Sequence, residues 1–327
     1  MKVVVLGATG NTGRSIVNGL LESDTKFEIT ALTRPSSVDK PENLELQKRG
    51  IKVVPLDLSA IAAAYKAPAP GSVFSPASAD PELVRILTGA DVVISAIYYL
   101  NLEDQIPLAN AAKAAGVGRF VPCNFGTVGP RGVMALADAK YKVLDHIQRI
   151  RLPYTVIEVG WWYQISLPRV PSGKLDAGKG NGLVYFPAGE LVAGGTQPSA
   201  LTDLRDIGRW TARIVAAPGH ATLNKTVFSY GEVRSQREVW ELVGRLSGEE
   251  PVAADVSAAE LERRIAQVSD KSRPSPELSV AEYLRSWGVR GDNTPENAEY
   301  LGFVSARELF PDFKPLGLEA FVKEALA

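Results

Sequence analysis

Residues 2–21 read KVVVLGATGNTGRSIVNGLL, and their order decides the fold. Val3 to Leu6 form a short apolar, β-rich run, and Gly7-Ala8-Thr9-Gly10-Asn11-Thr12-Gly13 follows at once. An amphipathic helical pattern then covers Asn11–Leu21. Strand, glycine loop and helix in that order open a dinucleotide-binding βαβ unit. Gly7 permits the tight turn out of the strand. Gly10 lets the backbone approach a pyrophosphate, and Gly13 lets the helix pack close to the sheet. The N–H groups at the start of the helix then face the phosphates.

Outward from this loop, β-rich runs alternate with helical patterns. Strands are expected at Lys2–Leu6, Phe27–Thr33, Ile51–Pro55, Asp91–Ala96, Arg119–Cys123 and Tyr154–Glu158, and helices at Asn11–Leu21, Pro81–Leu87, Leu102–Ala115 and Leu136–Arg151. Nearly continuous apolar strands between amphipathic helices imply an α/β fold, a doubly wound parallel sheet covered on both faces. Lys66–Pro81, rich in Pro, Ala and Ser, breaks the rhythm and reads as a mobile surface insertion. Beyond Gly160 loops dominate between Pro168 and Pro198, and helical patterns return at Leu204–Ala216, Ser235–Ser247, Ala258–Val268 and Leu316–Ala325. The expected division is a nucleotide-binding domain over 1–159 and a smaller substrate lobe over 160–327. Residues near 200–230 are expected to return to the first domain.

Composition narrows the function. Lys and Arg number 36 against 37 Asp and Glu, a net charge of −1, so no cationic excess exists to displace counterions from nucleic acid. One cysteine, Cys123, forbids an internal disulfide, and His146 and His220 are too few to complete a Cys/His zinc site. Val3 to Leu6 is too short for a signal peptide or a membrane span. A reduced, cytoplasmic protein without membrane or nucleic-acid partners is the expectation.

The end of the second strand bears on which dinucleotide. An NAD-preferring site places Asp or Glu about 20 residues past the loop. Here Ala31-Leu32-Thr33-Arg34-Pro35 stands instead, and an arginine able to pair with a 2′-phosphate favours NADP(H). Asp57, just after the third strand, is a candidate for the adenine edge.

None of the ten tyrosines has a lysine four residues later, so the common short-chain Tyr–Lys relay is absent. Cys123 reads as part of a buried strand, which argues against a Cys–His nucleophile. On helix Leu136–Arg151, 100° steps gather Leu136, Val143, Leu144, Ile147 and Ile150 into one apolar stripe, opposite Asp138, Lys142, Asp145 and Arg149. Lys140 falls inside the stripe. An inward lysine is desolvated, which suits it to proton transfer or to orienting a hydroxyl. The alternative is a snorkelling stem whose head reaches water.

Gly160-Trp161-Trp162-Tyr163 follows the sixth strand, at the sheet edge where doubly wound folds bind ligands. The three rings read either as an aromatic substrate wall or as packing at a lobe junction. Tyr98, Tyr99 and Phe125, at other strand ends, are candidates for the same wall.

Taken together, G-A-T-G-N-T-G at 7–13, Thr33-Arg34, R-F-V-P-C-N-F-G at 119–126, Lys140 before the Leu152-Pro153-Tyr154-Thr155 strand start, D-I-G at 206–208 and N-K-T-V at 224–227 resemble the NmrA-like and isoflavone reductase-like family, the atypical short-chain dehydrogenases. The resemblance spans nearly the whole chain. It implies an NADPH-binding Rossmann-like domain, with a cofactor set that takes in Gly7, Thr9, Gly10, Asn11, Thr12, Gly13, Thr33, Arg34, Asp57, Ser95, Ala96, Asn124, Phe125 and Lys140. It also implies that Lys140 is the catalytic general acid or base. Tyr98, Phe125, Trp161, Trp162 and Tyr163 would face a small apolar, aromatic or polycyclic metabolite. One departure stands out: where the reductase branch reads Pro-Ser-Glu-Phe-Gly, this chain has Pro122-Cys123-Asn124-Phe125-Gly126. The expected function is an NADPH-dependent oxidoreductase. The departure leaves as alternatives an NADP(H)-binding redox sensor without turnover and a non-redox enzyme using the same pocket. Monomer and homodimer are both compatible with the sequence.

Overall fold

The computed structural model describes residues 1–69, 71–176 and 189–327. In chain order the first part contains β1 (Lys2–Leu6), α1 (Asn11–Leu21), β2 (Glu28–Thr33), α2 (Pro41–Lys48), β3 (Lys52–Pro55), α3 (Leu58–Ala64), α4 (Pro81–Leu87), β4 (Val92–Ser95), α5 (Gln105–Ala114), β5 (Arg119–Val121), α6 (Ala135–Arg149) and β6 (Thr155–Glu158). Then follow β7 (Trp161–Trp162), β8 (Glu190–Val192), β9 (Pro198–Thr202), α7 (Leu204–Ala216), α8 (Gly219–Thr222), β10 (Lys225–Phe228), β11 (Glu232–Ser235), α9 (Gln236–Ser247), β12 (Ala254–Val256), α10 (Ala258–Gln267), α11 (Pro276–Arg285), α12 (Pro295–Tyr300), β13 (Val304–Ser305), α13 (Ala306–Leu309) and α14 (Leu318–Leu326).

Five strands pair in parallel in the order β3-β2-β1-β4-β5. This is the doubly wound α/β arrangement expected from the alternation, with a topological switch point between β1 and β4. A parallel bridge between Phe120 and Tyr154 carries the pattern toward β6. The chain divides into two compact units. The first comprises Met1–Asn124, Ala139–Ile157 and Ile207–Thr226; the second comprises Phe125–Asp138, Glu158–Asp206 and Val227–Ala327. Val4, Leu6, Leu32, Val93, Leu108, Phe120, Val143 and Ile147 belong to the buried core of the first. Trp161, Tyr163, Val192, Leu201, Trp240, Leu284 and Trp287 belong to that of the second, whose short sheets run β11-β9-β7 and β12-β8.

Several local expectations need correction. The fifth strand stops at Val121, not Cys123, because Pro122 has no N–H to offer a ladder. Cys123 is half-buried; its N–H donates to Gln105 Oε1 (2.8 Å) and its thiol to the Ile97 carbonyl (3.3 Å). Helix α2 appears where no helix was expected. The described residues of the insertion at 66–81 are largely exposed, yet they hold a helical turn at Pro76–Ser78, and Phe74 packs against the first core. Of the loop-rich stretch 168–198, residues 177–188 lie outside the described residues, and Glu190–Val192 form β8. Among the described residues no helix is long and apolar enough to cross a membrane.

Candidate functional site

Leu6 pairs in register with Leu32 of β2 and Ser95 of β4, and Ile94 pairs with Val121 of β5. The residues that follow these strand ends, Gly7, Thr33-Arg34, Ala96 and Cys123-Asn124, therefore leave one edge of the first unit's sheet. At that edge the glycines are a steric requirement. Gly7 has φ +78, and a Cβ there would overlap the Ala96 carbonyl. A Cβ on Gly13 would overlap the Gly7 carbonyl, whereas Gly10 has room for one beside Gly7. Gly10 N–H donates to Gly7 C=O (3.1 Å), closing the turn. Gly10 caps α1 with no side-chain bond, and no acidic residue occupies the first turn. A helix start arranged this way favours an anion. Thr9, Asn11 and Thr12 are half-buried around it.

Thr33 ends β2, and Arg34 begins a short turn at Pro35–Ser37. Arg34 is exposed, and its guanidinium makes no hydrogen bond or ion pair among the described residues. Ser95, fully buried at the end of β4, has an Oγ without a partner. Asp57 caps α3, its Oδ1 accepting from Ala60 N–H (3.0 Å). An uncapped helix start, an unpaired arginine and an orphaned hydroxyl at one edge fit a dinucleotide carrying a diphosphate and a further phosphate. Among the described residues no group of three or more His, Cys, Asp or Glu could hold a metal.

On α6 the stripe holds residue by residue: Leu136, Val143, Leu144 and Ile147 are buried, as is Ile150 just past its end, while Asp138, Lys142, Asp145 and Arg149 are exposed. Lys140 is only 8% exposed. Lys142 lies on the surface and pairs with Glu103 at 2.7 Å. His146 also lies inward, where Nε2 shares a 2.7 Å hydrogen bond with Asn110 Oδ1. Burial, aided by Arg149, pulls its pKa down to about 4, so the ring is neutral.

Of the candidate aromatic residues, Phe125, Trp161, Trp162 and Tyr163 belong to the second unit and Tyr98 and Tyr99 to the first. Trp161, Trp162 and Tyr163 do not form one wall, because successive residues of extended chain point to opposite sides. Trp161 is buried against Tyr283 and Trp287, with ring centroids 5.5 and 5.3 Å away. Tyr163 is fully buried, stacks on Phe321 at 5.7 Å and donates its hydroxyl to the Leu316 carbonyl (3.3 Å). Burial and the carboxylates of Glu232, Asp206 and Asp203 push its phenol pKa far up, so it is not an acid. Trp162 is half-buried, and its Nε1–H donates to the Phe125 carbonyl (3.2 Å). Phe125 is itself buried, with φ +41, a left-handed conformation uncommon for a bulky residue. The peptide after it is clamped at both polar ends, since Gly126 N–H donates to the buried Glu158 Oε2 (3.0 Å). Strain held by surrounding bonds in this way is typical of functional sites. In the first unit, Tyr98 is exposed and stacks edge-on with Tyr99 at 4.8 Å.

Three residues at or near these features escaped the sequence reading. Arg14, in the first turn of α1, reaches back to the Thr9 carbonyl (3.3 Å); a cation directly after the third glycine was the available signal. Asn43 bonds to the loop that bears Arg34. Glu158 closes the Phe125 clamp. The family-like D-I-G and N-K-T-V stretches have structural reasons. Gly208 packs its backbone on Ser15 of α1, and Asn224, at φ +57, exchanges two hydrogen bonds with Tyr154.

Asnovolin J 5′,6′-dehydrogenase of Aspergillus novofumigatus is 43% identical over 335 aligned residues, covering 100% of this chain and 95% of the relative. Phenylcoumaran benzylic ether reductase of Betula pendula is 28% identical, with 99% and 98% covered. Among solved structures, the binary complex of leucoanthocyanidin reductase with NADPH from Vitis vinifera superposes with a TM-score of 0.74 at 18% identity, covering 100% of this chain and 99% of that one. The model of the NmrA-like family matches residues 1–322, and the chain belongs to that family.

Proposed function

We propose that this protein is an NADPH-dependent oxidoreductase acting on a small, largely apolar metabolite with aromatic or polycyclic rings. The observation that carries the reading is Lys140, an almost fully buried lysine on a helix whose other lysine is at the surface. The 43% identity over the full chain to a protein named a dehydrogenase supports redox chemistry. The reductases among the relatives, and NADPH in the leucoanthocyanidin reductase complex, support the cofactor.

In this reading the N–H groups at the start of α1 hold the diphosphate, and Arg34 pairs with the 2′-phosphate. Ser95, Ala96 and Asn124 line the sheet edge beside the nicotinamide. Bound NADPH supplies the hydride. Lys140 Nζ supplies or orients the proton that balances the charge developing on the substrate. Within the second unit Phe125, held by Trp162 and Glu158, faces the substrate, and Trp161 and Tyr163 belong to that unit's buried core. Placement in the cytoplasm is part of the same proposal.

The test follows nicotinamide absorbance with NADPH and a panel of such metabolites. Lys140→Met keeps the stem and removes the ionisable head. Turnover should fall by roughly 10²–10⁴-fold, the range of a lost acid–base group, with NADPH affinity little changed. Lys142→Met is the matched control. Turnover at the parent rate in Lys140→Met defeats the assignment. The Cys123-Asn124 pair, standing where the reductase branch has Ser-Glu, favours a second reading, an NADP(H)-binding regulator without turnover. That reading gains if no substrate oxidises bound NADPH while the protein still separates NADP⁺ from NADPH.

A further inference from the structure

We infer that Asn43 is a positioning residue that sets the preference for a 2′-phosphorylated dinucleotide, by holding the loop that presents Arg34. The inference rests on the reading above, in which that loop takes the 2′-phosphate.

Helix α2 is short and mostly exposed, and its inward positions are Asn43 and Leu46. Asn43 is 1% exposed, so a polar amide stands where an apolar anchor would normally seal the helix to the sheet. Its Nδ2 donates to Thr33 Oγ1 (3.2 Å) and to the Ser37 carbonyl (2.7 Å). These acceptors lie on either side of Arg34, so one amide draws both ends of loop 33–37 together. Backbone bonds complete the brace: Ser37 N–H to Arg34 C=O (2.8 Å), Lys40 N–H to Ser37 C=O (3.1 Å) and Leu56 N–H to Thr33 C=O (2.7 Å).

The Arg34 side chain contributes nothing to this brace. Its direction is set by the loop backbone alone, and therefore depends on what fixes that backbone. The Asn43 amide orientation is fixed as well, because a flip would put its oxygen against the Ser37 carbonyl. That orientation leaves Oδ1 buried without a donor. A leucine would fill the same volume without an orphaned acceptor. Retaining the amide at that cost makes sense if the two bonds to the loop are what matters.

The experiment measures NADPH and NADH dissociation constants by calorimetry on the full chain and needs no substrate. Asn43→Leu should weaken NADPH by about tenfold or more, a large part of what one charge-assisted contact contributes, and shift NADH by less than about threefold. Thr33→Val removes one partner of the same amide without touching α2, and should move the ratio the same way by a smaller factor. It keeps the test alive if Asn43→Leu folds poorly. Arg34→Ala is the reference, expected to lose NADPH selectively. Equal losses for both cofactors in Asn43→Leu, or no change in either variant, overturn the inference while selective loss in Arg34→Ala leaves the cofactor reading standing. If Arg34→Ala loses both cofactors alike, the cofactor reading falls and the role of Asn43 falls with it.

Discussion

Lys140 and Lys142 are two positions apart on α6, and the 200° between them separates a buried lysine from one at the surface, paired with Glu103. That difference was legible in the sequence because helical periodicity fixes side-chain direction. Phe125 was legible as a residue type, while its left-handed backbone was not, since no local rule puts a phenylalanine at φ +41. What holds it there comes from afar: Trp162 is 37 residues along the chain from Phe125, and Glu158 is 32 residues from Gly126. The clamp yields a prediction at this scale. Glu158→Gln keeps an acceptor oxygen for the Gly126 N–H and should stay within about threefold of parent turnover. Glu158→Met keeps the bulk but strands the N–H, at a cost of about 1–3 kcal/mol. Its turnover should drop by roughly tenfold or more as Phe125 shifts, with the NADPH dissociation constant unchanged. Equal turnover in the two variants, with both folded, would show that the clamp does not position the ring.

At the scale of elements, α1, α4 and α7 match their expected bounds, because each has a clear apolar face or a strong start signal. Four helices begin Pro-Glu, at Pro41, Pro81, Pro276 and Pro295. Asp80, Ser275 and Thr294 cap three of them through their side chains. Only the one at Pro81 is expected from the sequence pattern. The same signal stood in the other three, where short length and mixed polarity hid the periodicity. Contacts between elements are harder to read, and Gly208 shows why. A helical glycine normally gains about 1 kcal/mol on replacement by alanine. Here a Cβ would overlap the Ser15 carbonyl of α1, and the Gly208 N–H donates to Ser15 Oγ (2.9 Å), which holds the two helices at that close approach. Gly208→Ala should therefore destabilise the protein, by about 1–3 kcal/mol, seen as a lower urea midpoint at unchanged slope. A midpoint equal to or above the parent's would mean that α1 and α7 separate at little cost.

At the scale of the whole molecule, the first unit is assembled from three stretches of chain, and α6 enters it at Ala139 from the second. Its stability therefore depends on what α6 buries, and His146 makes that dependence visible through pH. The folded ring titrates near 4, against an ordinary value of 6.5. Between those values the unfolded chain binds a proton that the folded one refuses, so stability falls as pH drops through 6.5 and levels off below about 4. From pH 7 to pH 5 the loss from this group is about 2 kcal/mol. Glu282 acts in the opposite sense. Burial raises its pKa, so its folded form takes up a proton before the unfolded one does, and acidification favours folding there. Subtraction isolates the histidine: His146→Gln keeps a hydrogen-bonding amide for Asn110 and does not titrate. Urea unfolding at pH 7 and pH 5 should show the parent losing about 2 kcal/mol more than His146→Gln. His220, the other histidine, is exposed and common to both proteins, so it cancels in the comparison. An identical pH dependence in the two proteins would mean that α6 lets its histidine charge without opening the core.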